Sequence, residues 1–290
     1  MPLEFRRNFR VRFYECDPFG HLNNVSYLRY MQETAFDASA AAGYDQARYQ
    51  ELKHSWLIRE TDIEYLKPLQ FNDEVEVKTW VADFHRVRSK RAYEFRTLES
   101  SELVAKASTD WVYMDDFNGA PARVPEYIAK AFYPEGLPAS FPPRKPFPKA
   151  PPPPHGVFEI HRRVTWADLD PAQHVNNSVY LGYIEECGMQ VIAAHGWPVT
   201  RMLSEGFALL IRRHQIEYLS QAKLDDELLI QTWASDVRRS TATRHYQITR
   251  ASDDKPVANV NSLGVWVDLS SGRPIRIPEN LLVDFAPNIV

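Results

Sequence analysis

The residues of this chain best suited to chemistry lie in one short pattern, Asp-x-x-x-His-x-Asn-Asn-x-x-Tyr, which occurs twice with its copies 153 residues apart. The first copy begins at Asp17 and the second at Asp170. A carboxylate can act as a general base for water or as a nucleophile, and a histidine can share in proton transfer. The asparagines are typical helix caps that can also contact a ligand. The pattern predicts the same chemical groups at two places in the chain.

The repetition extends far beyond this pattern. The register of Val11 to Glu126 on Val164 to Glu279 holds without a gap, and roughly a third of the positions are identical. Matched pairs include polar residues, which two unrelated globular domains would not share by chance. The chain is therefore a tandem duplication, with one fold used twice.

Length and composition agree with two domains. A chain of 290 residues can hold two cores of the commonest domain size. We predict a first domain over residues 1–132, a proline-rich connector over residues 133–156 and a second domain over residues 157–290. Between Tyr133 and Pro154 lie ten of the 21 prolines of the chain. Such a composition favours an extended segment.

Charge and hydropathy exclude several classes of protein. The formal net charge is −4 and the basic residues are scattered, so nucleic acid is not a predicted partner. No run of about 18 apolar residues is present to span a membrane, and the N-terminal residues lack the apolar core of a signal peptide. We therefore expect a cytoplasmic protein. Cys16 and Cys187 lie at different places in the two repeats, which predicts two reduced thiols.

The elements that must position the pattern follow from periodicity. A helix from Asn24 to Ala42, apolar round much of its circumference, is predicted to be buried and to end before Gly43. The strands predicted around it are Phe9 to Phe13, Trp56 to Tyr65, Glu74 to Phe84, Lys90 to Leu98 and Leu103 to Met114. Their alternation indicates an antiparallel sheet. The predicted fold class is α+β, with a curved sheet wrapped round a long central helix in each repeat.

The repeated pattern, at Asp17, His21, Asn23, Asn24 and Tyr27, resembles that of the hotdog-fold acyl-CoA and acyl-ACP thioesterases of the 4-hydroxybenzoyl-CoA thioesterase-like superfamily. The second copy has Asp170, His174, Asn176, Asn177 and Tyr180. The resemblance covers nearly all of both repeats and implies a tandem, or double, hotdog. It further implies a pseudo-dimer with two related grooves, each built from residues of both repeats, in which an acyl thioester lies.

Thioester hydrolysis needs a base or a nucleophile and a group that polarises the carbonyl. Asp17 or Asp170 can supply the first, and amides near Gly20 to Asn24 and Gln173 to Asn177, at the start of the following helix, can receive the oxyanion. No metal or cofactor is required. The alternative for each aspartate is a tight Asp-Pro turn whose carboxylate binds local amides.

The remaining residues of the pattern have two interpretations each. His21 and His174 can orient water or the thioester, or pack beside the helix and bind backbone. Tyr27 and Tyr180 are expected to form the wall of the substrate groove. The four asparagines are expected to be helix caps, with one of each pair able to contact substrate.

Glu33 and Glu186 interrupt the apolar central helices at matching positions. Burial there would favour the protonated form of a carboxylate, which makes each a candidate second acid or base. The alternative is a structural ion pair with an arginine such as Arg59 or Arg212.

Two further features bear on substrate. Gly20 permits a close approach of backbone to ligand, as in the bacterial acyl-CoA thioesterase pattern. The second repeat has Ala172 and Gln173 in the corresponding turn, which resembles the plant-type acyl-ACP enzymes except that those carry an asparagine where this chain has Ala172. We therefore expect the Asp17 site to be the better catalyst. Arg88 and Arg239 lie in basic runs where thioesterases often meet the phosphates of CoA or phosphopantetheine. A solvent-exposed strand edge is the alternative. Cys16 has no counterpart in the second repeat, which argues against a cysteine nucleophile.

We therefore expect an acyl thioester hydrolase. Acyl-CoA is the first candidate substrate and acyl-ACP is the second. The chains could also associate into a homo-oligomer. A hotdog hydratase is the rival enzyme, but its Asp-x-Asn-Pro-x-His pattern is absent. A hotdog protein that only binds acyl thioesters is the third alternative.

Overall fold

A computed structural model describes residues 1–141 and 143–290 of the chain. The chain folds into two compact units, Met1–Pro146 and Phe147–Val290. The predicted connector, residues 133–156, therefore contributes residues to both units. Across the described residues, no helix combines the length and the apolar character needed to cross a bilayer.

The first unit is an antiparallel sheet with one long helix. Its elements are β1 (Glu4–Arg10), α1 (Asn24–Ala41), α2 (Gln46–Leu52), β2 (His54–Tyr65), β3 (Glu74–His85), β4 (Arg88–Thr97), β5 (Leu103–Asp115), β6 (Ala120–Pro121) and α3 (Glu126–Ala131). The strand order is β1-β3-β4-β5-β2, and the short β6 pairs with β5. A single 3₁₀ turn, Phe13–Glu15, leads from β1 towards α1.

The second unit repeats this arrangement. Its elements are β7 (Phe158–Arg163), α4 (Val179–Ala194), α5 (Val199–Ser204), β8 (Phe207–Tyr218), β9 (Glu227–Ser235), β10 (Thr241–Arg250), β11 (Lys255–Asp268) and α6 (Glu279–Phe285). The strand order is β8-β11-β10-β9-β7, again antiparallel throughout. A 3₁₀ turn, Trp166–Asp168, takes the place of Phe13–Glu15.

Alternation of side chains explains the sheets, and helical spacing explains the cores. Val75 and Val77 of β3 are fully buried, whereas Glu74 on the same strand is exposed. In α1, Met31 and Ala35 are buried one turn apart. The predicted α+β arrangement of a sheet and a long helix is thus present in each unit.

The structure corrects one predicted strand, confirms one predicted helix cap and adds one short helix. The first strand is Glu4–Arg10, not residues 9–13, because its ladder with β3 runs from Glu4 opposite Trp80 to Arg10 opposite Glu74. Asn23 is a helix cap, as predicted, and its side chain accepts from the Ser26 amide at 2.9 Å, whereas Asn24 is the first residue of α1. The short helix α2 was not predicted.

The buried face of α3 offers a test of the first core. Ile128 is fully buried against Phe132 and Tyr133, so Ile128→Ala should lower the free energy of unfolding by about 3 kcal/mol through lost burial and a cavity. Its neighbour Tyr127 is 54% exposed. Tyr127→Ala should therefore cost under about 1 kcal/mol. Urea unfolding of both variants measures the difference, and equal losses would contradict this packing.

Candidate functional site

The Asp17 loop is a tight turn held by its own carboxylate. Asp17 Oδ1 accepts from the Phe19 amide at 2.9 Å and from the His21 amide at 3.0 Å. The Gly20 amide donates to the Asp17 carbonyl, and the Asp17 amide donates to the His21 carbonyl. Asp17 is half-buried, and its Oδ2 makes no hydrogen bond within the described residues. The local-turn interpretation is therefore correct for one carboxylate oxygen and leaves the other available.

The Asp170 loop has the same turn with one extra contact. Asp170 Oδ1 accepts from the Ala172 amide at 2.9 Å, and the Gln173 amide donates to the Asp170 carbonyl at 2.8 Å. Asp170 Oδ2 accepts from Asn176 Nδ2 at 3.2 Å. Both oxygens of this carboxylate are thus engaged, unlike those of Asp17.

The turn requires a left-handed backbone at its fourth residue. That residue is Gly20 in the first unit, with φ +79°, and Gln173 in the second, with φ +61°. A Cβ added at Gly20 would meet no heavy atom within 4 Å. The backbone angle, and not a crowded neighbour, is therefore the reason for glycine at this position.

Most of the amides predicted to receive an oxyanion are already occupied. In the first unit the amides of Gly20 and His21 both donate to Asp17. The Leu22 amide donates to Leu69, and the Asn23 amide donates to Glu15. Because the Asn23 side chain accepts from the Ser26 amide, that amide of α1 is occupied as well. The predicted range was too broad for this unit.

In the second unit the Gln173, Val175 and Asn176 amides are occupied in the same way. Those of His174 and Asn177 donate to nothing within residues 143–290. The amides left for an oxyanion therefore differ between the two units.

Both histidines lie half-buried in these loops. The His174 ring places Nδ1 3.3 Å from the Val175 carbonyl oxygen. A proton on Nδ1 would donate there and leave Nε2 as the basic nitrogen. The His21 ring stacks on Phe19 with 6.5 Å between ring centroids.

Tyr27 and Tyr180 belong to the cores of their units and are only 2% and 3% exposed. The Tyr27 ring packs against Tyr65, and the backbone of Leu69 hydrogen-bonds its hydroxyl. Tyr180 repeats this with Tyr218 and the backbone of Ala222. Burial raises the pKa of both hydroxyls. Such burial argues against the predicted groove-wall role, and both residues instead anchor the helix to the chain that follows β2 or β8.

The asparagines differ between the units. Asn23 is the cap of α1, as described above. Asn176 accepts from both the Ser178 amide, at 3.0 Å, and the Ser178 hydroxyl, at 2.7 Å, and so holds the turn that leads into α4. The Asn177 carbonyl accepts from the Tyr218 hydroxyl at 3.0 Å. Asn24 and Asn177 are half-buried.

The prediction that Glu33 and Glu186 are buried is wrong. Both are exposed, because the face of each helix that carries them is turned away from the sheet. Glu33 lies 3.5 Å from Arg7 of β1, which is an arginine partner but a different one from the two named above. Glu186 accepts from Gln190, one turn further along α4. The burial that made them candidate acids is absent.

The two arginines predicted to bind phosphate have different surroundings. Arg88 pairs with Glu60 at 2.9 Å and with Asp110, so its guanidinium is already engaged by carboxylates. Arg239 is exposed in the loop between β9 and β10. Of the two, Arg239 fits the predicted phosphate contact and Arg88 does not.

The cysteines are free thiols, as predicted. Desolvation, and then the charge of Asp17, raises the pKa of Cys16. Burial raises the pKa of Cys187 to about 12. Both shifts favour the unreactive thiol, in agreement with the rejection of a cysteine nucleophile.

Sequence reasoning missed the residues that hold these loops in place. The carbonyls of Leu69 and Ala222 accept the amides of Leu22 and Val175 at 2.7 and 2.9 Å. Glu15 accepts from the Tyr30 hydroxyl at 2.6 Å and from the Arg12 amide at 2.9 Å. Residue identity does not reveal these positions, because leucine at 69 corresponds to alanine at 222 and Glu15 corresponds to Asp168. Only their equal spacing of 153 residues could have indicated them.

This chain belongs to the thioesterase-like superfamily, whose family model matches residues 11–132 and 164–285. An acyl-[acyl-carrier-protein] hydrolase of Cuphea viscosissima is 27% identical over 195 residues, covering 63% of this chain and 47% of that protein. An acyl-CoA thioester hydrolase of Escherichia coli O157:H7 is 25% identical over 129 residues, covering 44% of this chain and 96% of that protein. The chain spans about half the length of the acyl-carrier-protein hydrolases that it matches.

Solved structures share the fold across both units. A chain from Lactobacillus plantarum has a TM-score of 0.78 at 17% identity, covering 96% of this chain and 98% of its own. The 12:0-ACP thioesterase from Umbellularia californica has a TM-score of 0.71 at 18% identity, covering 90% of this chain and 93% of its own. The predicted tandem hotdog fold is confirmed.

The turn geometry predicts unequal responses to the same substitution. Gly20→Ala should lower the free energy of unfolding by about 1 kcal/mol, because an L-residue must adopt the left-handed conformation there. Gln173→Ala is the matched control, because a residue with a side chain already adopts the left-handed conformation there. This substitution should change the free energy of unfolding by less than about 0.5 kcal/mol. Denaturant unfolding measures both, and a neutral Gly20→Ala would contradict the account.

Proposed function

We propose that this chain hydrolyses acyl thioesters. The observation that carries the proposal is a carboxylate held by backbone amides just before the long helix of each unit. One oxygen of Asp17 and one of Asp170 accept an amide two residues further along, each at 2.9 Å. A family of thioesterase-like proteins supplies the context. A carboxylate fixed in this way presents its basic oxygen in a constant direction, which proton abstraction from water requires.

The chemistry proposed for the loop has two routes. In the first, the carboxylate takes a proton from water, the hydroxide attacks the thioester carbon, and the C–S bond breaks to release a thiol and a carboxylic acid. In the second, the carboxylate attacks directly and water then cleaves the mixed anhydride. In either route a backbone amide of the following turn stabilises the oxyanion. Asp17, with one oxygen unoccupied, suits both routes better than Asp170.

The histidines are proposed as positioning groups. In the tautomer that donates to the Val175 carbonyl, His174 keeps a basic nitrogen able to orient water or to accept a proton. Glu33 and Glu186 are left out of the mechanism because they are exposed on the helix faces described above. Tyr27 and Tyr180 are likewise left out because their hydroxyls face the backbone of their own unit.

The acyl carrier is proposed as CoA first and acyl carrier protein second. A relative named as an acyl-CoA thioester hydrolase matches 44% of this chain, and a relative named as an acyl-carrier-protein hydrolase matches 63% of it. The second observation is the reason that acyl-ACP is kept as the second candidate. The cytoplasmic location and the association of two chains stay predictions.

Substitution of the two aspartates tests the proposal. Asp17→Asn keeps the side-chain oxygen that binds the amides but removes the charge, so kcat for thiol release should fall about 100-fold or more if this carboxylate is the base. Asp170→Asn should cost less, because Asp17 is left intact, and the double variant should abolish turnover. Asp254→Asn, in an exposed turn, is the control and should keep full activity. Unchanged turnover in the double variant would refute the assignment.

A carrier panel tests the substrate. Acyl-CoAs and acyl-ACPs with the same acyl groups should differ in kcat/KM, and CoA thioesters are expected to be the better substrates. An Arg239→Ala variant should raise KM for the preferred carrier while it leaves kcat unchanged, because a phosphate contact distant from the thioester acts in binding. Turnover of no thioester would leave a hotdog protein that only binds them.

A further inference from the structure

Two carboxylates are buried side by side in the first unit, outside the site described above. Asp83 at the end of β3 and Asp110 in β5 are only 3% and 8% exposed. Glu60 of β2 is the third acid of this group. Arg88 of β4 binds both Glu60 and Asp110. The Arg88 guanidinium therefore engages two of the three acids, Glu60 and Asp110.

A second positive charge beside these acids comes from the proline-rich segment. Arg144 donates through Nη1 to Asp110 Oδ1 at 2.6 Å and through Nη2 to Asp83 Oδ1. The Arg144 side chain is only 18% exposed, so its guanidinium is largely removed from water. His85 Nε2 lies 3.9 Å from Asp83 Oδ2, too far for a hydrogen bond. Arg144 is thus the cation that bridges the two buried acids.

This arrangement is confined to one repeat. At the 153-residue offset, Asp83 corresponds to Asp236, Asp110 to Leu263 and Arg88 to Thr241. The second unit folds with the same strand order without the acid pair. The fold of a repeat therefore does not require buried carboxylates here, and their presence needs a separate reason.

Paired buried charges are poor stabilisers compared with apolar residues, but loss of one partner is costly because it leaves the other charge uncompensated. If residue 144 were not docked, Asp83 and Asp110 would lose the cation that they share, at a cost in stability. An arginine suits the place because its planar fork can bind two carboxylates at once, which a lysine ammonium does not reproduce.

We propose that Asp83 and Asp110 form a guanidinium-binding site whose resident ligand is Arg144, and that this site fastens the proline-rich segment to the first unit. The segment is therefore a docked strap and not a free tether. The site is independent of the thioesterase proposal, because its ligand is a cation of the chain itself.

Arg144→Ala in the full chain tests the proposal. The midpoint of thermal unfolding should fall by about 5 °C or more, because two buried carboxylates lose their shared cation. Trypsin does not cut after Lys145, because proline follows it, so cleavage after Lys149 is the second readout. This cleavage should become faster when the segment is released. Lys145→Ala, an exposed neighbour, is the matched control and should change neither readout.

Two further measurements separate a guanidinium site from general loss of packing. Millimolar guanidinium chloride, far below denaturing concentrations, should restore part of the lost midpoint in Arg144→Ala, whereas equal sodium chloride should not. In an Asp83→Asn/Asp110→Asn background, Arg144→Ala should cost little. The proposal is overturned if Arg144→Ala behaves like Lys145→Ala, or if its loss is as large without the two acids as with them.

Discussion

One buried residue in each unit fixes the loop on which the proposed chemistry depends. Leu69 in the first unit and Ala222 in the second are fully buried just after a long strand. The carbonyl of each accepts an amide from the Asp loop, and the backbone of each hydrogen-bonds a tyrosine hydroxyl of the long helix. Loop, helix and sheet thus meet at one peptide. Since a buried backbone group left unpaired is costly, this junction permits little movement of the carboxylate.

The same junction explains how the two loops can differ while their turns stay the same. The backbone bonds from the Leu69 and Ala222 positions do not depend on side-chain type, so Gly20 could become Gln173 without loss of the turn. Asn176 then adds a side-chain bond to Asp170 that has no counterpart at Asp17. The duplication has kept the scaffold and varied the electrostatic surroundings of the acid.

Much of this could be predicted from the sequence, and the failures have physical causes. The ends of strands such as β3 were predicted within one or two residues, because valines that alternate with polar residues are typical of a half-buried strand. Glu33 was misplaced because α1 carries apolar residues such as Phe36 on its exposed face too, so that hydropathy alone did not identify the buried side. The surroundings of Arg88 were missed because its acids come from β2 and β5, which only the folded sheet brings together. The short helix α2, capped by Asp45, is too brief for a periodic signal.

Proline has a chemical consequence at the other end of the strap. The carbonyls of Pro148 and Pro151 accept from Asn261 Nδ2 at 2.8 Å and from the Trp233 indole at 3.1 Å. Proline has no N–H, so Pro148 and Pro151 each offer an acceptor to the second unit without adding a donor that needs a partner of its own. A glycine–serine replacement of equal length would keep the reach but introduce new N–H groups against a surface that presents donors. The composition of the strap is therefore matched to the hydrogen-bonding character of the surface beneath it.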